Sequence, residues 1–281
     1  MILFSNMDYI AYSKGKIMGL LDLYEQINHQ EWIDIPEGWS QGRTLYGGLA
    51  AAMMIQKAFA TVGDLEKKLL TTSITFVGPI EISKVRLTAE VLREGKSVTS
   101  VEVRLWQNNA VQTILLASFG LPRASEIEVH QERQAPSLTV PNEQHILPVH
   151  PLAPECMQQM QLIWAAGQLP CSASSIPDFT GWMRFCPSCH ENRAMTPTDL
   201  VLAFDMWPPG VLPMFKKMAP ASSLTWTITF VHSVETQLQD WMKYKVFTDM
   251  AHGGYATEYA HLWDKNDRLI AIARQTVTVF A

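Results

Sequence analysis

The run Thr227-Ile228-Thr229-Phe230-Val231 is already present earlier in the chain. Ser73-Ile74-Thr75-Phe76-Val77 matches it at four of five positions, 154 residues upstream (227 − 73). Glu81 and Glu235 keep that offset, and Leu105-Trp106 recurs as Leu262-Trp263 at 157 (262 − 105), where residues 114–119 meet residues 271–276. A period this long exceeds the roughly 20 to 50 residues of solenoid and propeller repeats, so it marks a duplicated domain. We therefore expect two similar domains, 1–122 and 156–281, joined by a linker over 123–155. Pro136, Pro141, Pro148, Pro151 and Pro154 punctuate that linker, with Pro122 just before it.

Each half opens differently and then follows one plan. An amphipathic run begins at Met18, and Trp32-Ile33-Asp34-Ile35 reads as a strand ended by Pro36-Glu37-Gly38. The glycine pair Gly47-Gly48 leads into residues 49–60, rich in alanine and methionine and apolar nearly all round. That pattern predicts a buried helix. Strands are expected over 72–77, 84–93, 97–107 and 111–119, the last three as a meander turning at Glu94-Gly95-Lys96 and Gln107-Asn108-Asn109. In the second half a strand is expected over 179–185. A helix over 200–207 follows, capped by Thr198 or Asp199, with Asp205 inside it. Further strands start at Leu224, Asp240, Gly254 and Arg268.

Composition narrows the function. Apolar residues make up 47% and charged residues 17%, enough for a sizeable core and too little charge for disorder. A net charge of −5 excludes broad binding to nucleic acid or anionic membrane, which needs a basic footprint. No apolar run approaches the roughly 20 residues that span a bilayer. Met1-Ile2-Leu3-Phe4 has neither a cationic start nor a cleavage site, so we expect no signal peptide and a cytoplasmic protein. Cys186-Pro187-Ser188-Cys189-His190 fits the haem c attachment pattern, but covalent haem implies export. Zinc could use Cys186, Cys189 and His190, with Cys171 as an optional fourth ligand, but the remaining spacing is irregular for a ribbon or finger. The expectation is a loop with no metal and no cofactor.

A helix wrapped by an antiparallel sheet, duplicated in one chain, resembles the double hotdog, an α+β architecture. More narrowly, the chain is similar to the TesB-like acyl-CoA thioesterase II family over nearly its full length. The residues that carry the resemblance are Gly47-Gly48, Gly181-Trp182-Met183-Arg184, Phe204-Asp205-Met206, Leu224-Thr225-Trp226 and Ala273-Arg274-Gln275. It implies a catalytic Asp on the second half's helix, a Thr or Ser at a strand start and a Gln on the last strand: Asp205, Thr225 and Gln275. Alternation puts Thr225 with Thr227 and Thr229, on the face opposite Trp226 and Ile228. Related hotdogs often carry a His before the glycine pair; here it is Tyr46. The first half's helix has no Asp, Glu or His, so one site per chain is expected, with Thr71 and Ser118 standing where the second half has Thr225 and Gln275.

Thioester hydrolysis needs an aimed water, a base for its proton and donors for the oxyanion. Asp205 would be the base, with Thr225 and Gln275 holding the water; a covalent route through Asp205 is the alternative. Backbone amides at Gly47 and Gly48, or at a helix N-terminus, would serve the oxyanion. Met206, Trp207, Met214, Phe215 and Met218 read either as the wall of an acyl channel or as ordinary core. Lys216-Lys217 reads as a solvated charge pair. The expected activity is hydrolysis of an acyl-CoA or related acyl thioester by a homo-oligomer. The rival reading is the same fold as a non-catalytic acyl-binding module. A hydratase fits less well, since Asp205 has no His close behind it.

Overall fold

The computed structural model describes residues 18–150 and 153–280, so the reading of residues 1–4 lies outside it. Helix α1 (Leu20–His29) precedes a short strand β1 (Trp32–Asp34) and a small hairpin, β2 (Ser40–Gln41) with β3 (Thr44–Leu45). Helix α2 (Gly47–Val62) is buried along most of its length, as its all-round apolar surface requires, and ends at Gly63 in the left-handed conformation (φ 65°). Strands β4 (Lys68–Phe76), β5 (Lys84–Glu94), β6 (Val98–Gln107) and β7 (Ala110–Gly120) complete the first half. The second half runs β8 (Met160–Ala166), β9 (Phe179–Phe185), α3 (Pro197–Phe204), β10 (Ala221–Phe230), β11 (Met242–His252), β12 (Tyr255–Trp263) and β13 (Leu269–Val279). Strand β8, which pairs with β9, had no counterpart in the sequence reading.

The two halves share one antiparallel sheet of 11 strands, in the order β1-β5-β6-β7-β4-β10-β13-β12-β11-β9-β8. At its centre β4 pairs with β10, and Ser73 lies directly opposite Thr227. These two residues are repeat equivalents, so a local two-fold axis passes between them. Irregularities in the ladders repeat as well. Bulges fall at Leu70 and Leu224, and register shifts at Leu105/Trp106 and Leu262/Trp263. The duplication therefore extends to backbone detail, and the fold is a double hotdog whose two helices lie inside one curled sheet.

Helix α3 has the expected eight residues but lies three residues earlier than expected, and its cap is Thr196 in place of Thr198 or Asp199. Thr196 is the N-cap: its hydroxyl accepts from the Asp199 amide at 3.2 Å while the Asp199 carboxylate accepts from the Thr196 amide at 2.8 Å. Proline at the first helical position suits this start. The helix stops at Phe204, which makes Asp205 its C-cap (φ −86°, ψ 1°) and not an interior residue.

The linker crosses the outer face of the second half. Trp263 Nε1 donates to the Arg133 carbonyl (3.0 Å), Trp182 Nε1 to Thr139 (3.1 Å) and Lys243 Nζ to Pro136 (3.1 Å). Both sheet edges are blunted, since β1 has three residues and the Leu147 amide donates to Leu162 of β8 at 2.8 Å. No described helix is long and apolar enough to cross a membrane.

Candidate active site

Helices α2 and α3 run antiparallel, with Tyr46 of one beside Leu202 of the other and Gln56 beside Thr198. This brings the C-cap Asp205 to the N-terminus of α2. The first amides of a helix have no carbonyl of their own to donate to, and the Gly48 amide donates to Asp205. Glycine is needed here. A Cβ at position 47 would stand 2.9 Å from Asp205 Oδ2, and one at 48 would fall 2.5 Å from the Tyr46 ring. Tyr46, buried, donates its hydroxyl to the Leu202 carbonyl at 2.8 Å and so fixes the glycine pair against α3. Burial, followed by the charge of Asp205, holds the Tyr46 phenol well above its ordinary pKa, so it stays a donor.

Among the described residues, Asp205 has no cation beside it. Burial raises its carboxyl from 3.8 to about 7, against the opposing pull of the Gln275 amide and the Gly48 amide. The C-terminal end of α3, negative in its own right, is a poor place for a second anion; the positive end of α2 compensates. A carboxylate poised near neutrality is what a general base requires.

Gln275 reaches Asp205 from β13, its Nε2 lying 3.5 Å from Oδ1. It stands opposite Trp226 in the β10–β13 ladder and so shares that buried, inward face. Thr225 does not join them. It pairs with Thr276 and Thr75 on the outer face and is exposed. The hydroxyl beside Gln275 belongs to Ser223, to which the same amide donates. The cause is the bulge at Leu224: one extra residue turns Ser223 inward on a strand where strict alternation would group it with Thr225.

Met206 and Trp207 follow Asp205 directly and are buried. Trp207 stacks on Tyr244 (centroids 5.5 Å apart, 15° between planes) and packs so closely on Gly181 that a Cβ there would meet its ring at 2.3 Å. Met214 and Met218 are exposed, and so belong neither to the core nor to an interior wall. Depressions of about 70 and 250 Å³ lie on the outer face of the first half, around Trp32, Arg86, Trp106, Glu90 and Arg104, far from Asp205 in the fold.

Sequence reasoning missed a second carboxylate beside Gln275, and this one is buried. Glu258 on β12 is the cross-strand neighbour of Gln275. It accepts from the Gly210 and Val211 amides, the latter at 3.1 Å, and burial lifts it to about 7. It thereby pins the segment that follows Asp205 to the sheet. The signal was present, since a glutamate on an otherwise half-buried strand is rare without partners. Nothing local, however, marks 210–211 as those partners.

The first half lacks this polar set. Carried across by register, Ser223 becomes Leu69 and Gln275 becomes Ala117, one residue from the Ser118 that the uniform offset suggested. Both are buried and apolar, so the polar site is built on the second half's sheet and the first half's helix terminus.

Comparisons with known proteins agree with this architecture. Residues 35–120 match the acyl-CoA thioesterase N-terminal domain family and residues 131–279 the acyl-CoA thioesterase C-terminal domain family. No curated protein sequence matches the chain. Among solved structures, a hot dog fold protein of unknown function from Alicyclobacillus acidocaldarius is similar at 20% identity (92% of this chain, 98% of that one, TM-score 0.79). The tesB protein of Mycobacterium avium subspecies paratuberculosis shares 12% (92% and 98%, TM-score 0.73). The acyl-CoA thioesterase II TesB2 of Mycobacterium marinum shares 17% (92% and 97%, TM-score 0.69). At such identities these structures speak for the fold, and the family matches carry the rest. With both halves matched in order, the chain belongs to the acyl-CoA thioesterase family and is a thioester hydrolase.

Proposed function

We propose that the protein hydrolyses acyl-CoA, or a closely related acyl thioester, to free acid and thiol by direct attack of water. The observation that carries this reading is the Asp205 carboxyl, raised to about 7 by burial with no cation beside it among the described residues, and held between the Gln275 amide and the first turn of α2. In its anionic form Asp205 takes a proton from water held by Gln275 and Ser223. The Gly48 amide is taken up by Asp205, so of the two glycine amides named from the sequence it is Gly47 that is left for the developing oxyanion, where the helix dipole adds to it. The thiolate leaves without a strong acid. We assign the hydroxyl role to Ser223 in place of Thr225, because only Ser223 shares the face of Gln275. Met206 and Trp207 border the reacting carbonyl in this reading.

Thiol release from a panel of short to long acyl-CoAs tests the proposal. Binding without turnover at any chain length would favour the non-catalytic acyl-binding module. Ser223→Ala is expected to cut kcat by roughly ten- to a hundredfold, the worth of one hydrogen bond to a charged group at about 1.5 to 3 kcal/mol. Thr225→Ala should leave it near wild type. A larger loss in Thr225→Ala than in Ser223→Ala would reverse the assignment.

We further propose a cytoplasmic homo-oligomer. All four cysteines are free, as suits a reducing compartment. With the sheet edges blunted, the surface suited to self-association is the outer face of the central seam, where Leu70, Leu116 and Leu224 are exposed. Light scattering should report more than one chain, and Leu116→Lys should dissociate it. A monomeric wild type would remove the proposal.

A further inference from the structure

The turn after β9 contains a pair of thiols in unlike settings. The Cys189 amide donates to the Cys186 carbonyl at 3.0 Å, closing a four-residue turn with Pro187 at its second position. Such a turn keeps its end Cα atoms within about 7 Å, and a disulfide spans about 4.4 to 6.8 Å. Both ends are fixed. The Cys186 amide donates to Gln159 (2.9 Å), and His190 packs between Phe185 and Trp39 at 5.2 and 6.1 Å. The turn is therefore already shaped for a short ring.

The two sulfurs are held in complementary roles. Cys186 Sγ lies 3.1 Å from the Ser188 hydroxyl and also receives the Ser188 and Cys189 amides. Cys189 Sγ instead faces an acceptor, the Gln158 carbonyl at 3.4 Å, to which it donates its proton. One sulfur is surrounded by donors and suits a thiolate; the other is a thiol. Burial works against the Cys186 thiolate, yet the Ser188 hydroxyl and the turn amides outweigh it and bring its pKa below the ordinary value. Burial, then the neighbouring Cys186 charge, move Cys189 the other way. Cys189 is exposed and Cys186 half-exposed, so a reagent reaches both.

We propose that Cys186 and Cys189 are a redox-active dithiol, a second reactive site that reacts with low-molecular-weight disulfides. The Cys186 thiolate attacks one sulfur of the small disulfide, whose S–S bond breaks and releases one thiolate. Cys189 then gives its proton to solvent and attacks the Cys186 sulfur, displacing the second thiolate. The chain is oxidised by two electrons to an intramolecular disulfide, and the small disulfide is reduced to two thiols. Nothing in this chemistry involves Asp205.

Oxidised glutathione is the probe, with unreduced peptide mapping by mass spectrometry as the readout. Wild type should lose two hydrogens across Cys186 and Cys189 and retain no adduct, and dithiothreitol should reverse the change. Cys189→Ser should accumulate a glutathione adduct on Cys186, while Cys186→Ser should form none at Cys189 in the same time. An independent check uses unmodified protein: iodoacetamide at pH 7 should label Cys186 faster than Cys189, because donors surround the Cys186 sulfur while the Cys189 thiol faces an acceptor. A stable adduct on wild type without ring closure would overturn the proposal. So would faster labelling of Cys189.

Discussion

Replacing Asp205 with asparagine should lower thioester hydrolysis by at least about a hundredfold, the usual worth of a positioned general base. The same change should make the folded chain more stable above neutral pH. Both effects follow from one quantity. The folded state holds the Asp205 proton up to about pH 7, whereas an ordinary aspartate releases it near 3.8. Stability is therefore unaffected below pH 4 and falls as pH rises from about 4 to about 7. The ceiling on that loss is about 4 kcal/mol, from about three units at 1.36 kcal/mol each. In the proposed mechanism the anion is the working form, so activity should move oppositely and kcat should rise along a limb centred near pH 7. Urea melts of wild type and Asp205→Asn at pH 5 and pH 8 read the first effect, and a rate–pH profile the second. Variants that melt alike at both pH values would show Asp205 to be ordinarily ionised. Full activity in Asp205→Asn would remove it from the chemistry.

Arg193→Met should cost about 2 to 4 kcal/mol of stability, somewhat less than the roughly 3 to 5 for stripping one partner from a fully buried ion pair, because Asp199 is buried but Arg193 is partly exposed. Its guanidinium meets both oxygens of Asp199 at 2.7 and 2.8 Å, and Asp199 is fully buried at the start of α3. Tyr24 of α1 (2.9 Å) and Thr196 also donate to Asp199, but neither neutralises it. Without Arg193 the carboxylate must take up a proton or admit water, and α3 loses its anchor to the preceding loop. Adding Asp199→Asn to Arg193→Met should recover part of the loss, because no charge is then stranded. Denaturant titration decides: a single-variant cost below about 1 kcal/mol would mean that solvent already screens the pair.

Much of this organisation is legible in residue order. The copied pentapeptide carries the duplication, and the alanine-rich run after Gly47-Gly48 reads as a buried helix because only a wrapped helix is apolar all round. Asp205 and Gln275 lie 70 residues apart, and family resemblance, not periodicity, put them together. What escaped depends on contacts between distant segments. The bulge at Leu224 adds one residue to one strand of a pair, and no local preference distinguishes it from plain alternation; hence Thr225 was named where Ser223 faces inward. Glu258 looks like any strand glutamate until the 210–211 amides are seen to cap it. Helix α3 ends at Phe204 because Pro208 and Pro209 cannot continue it, yet the cap position decides whether Asp205 points along the helix or across to its neighbour.

The pairing of Ser73 with Thr227 has a consequence for how such a site can change. Two identical subunits meeting across that axis would write every substitution twice, once on each side. A single polypeptide writes it once. Leu69 and Ala117 can fill a core while Ser223 and Gln275, at the matching places, build a polar cluster. The glycine pair can stay bare on one helix while the other ends in a carboxylate. Covalent joining thus releases the two sides from mirrored inheritance, letting one half specialise in chemistry and the other in shape.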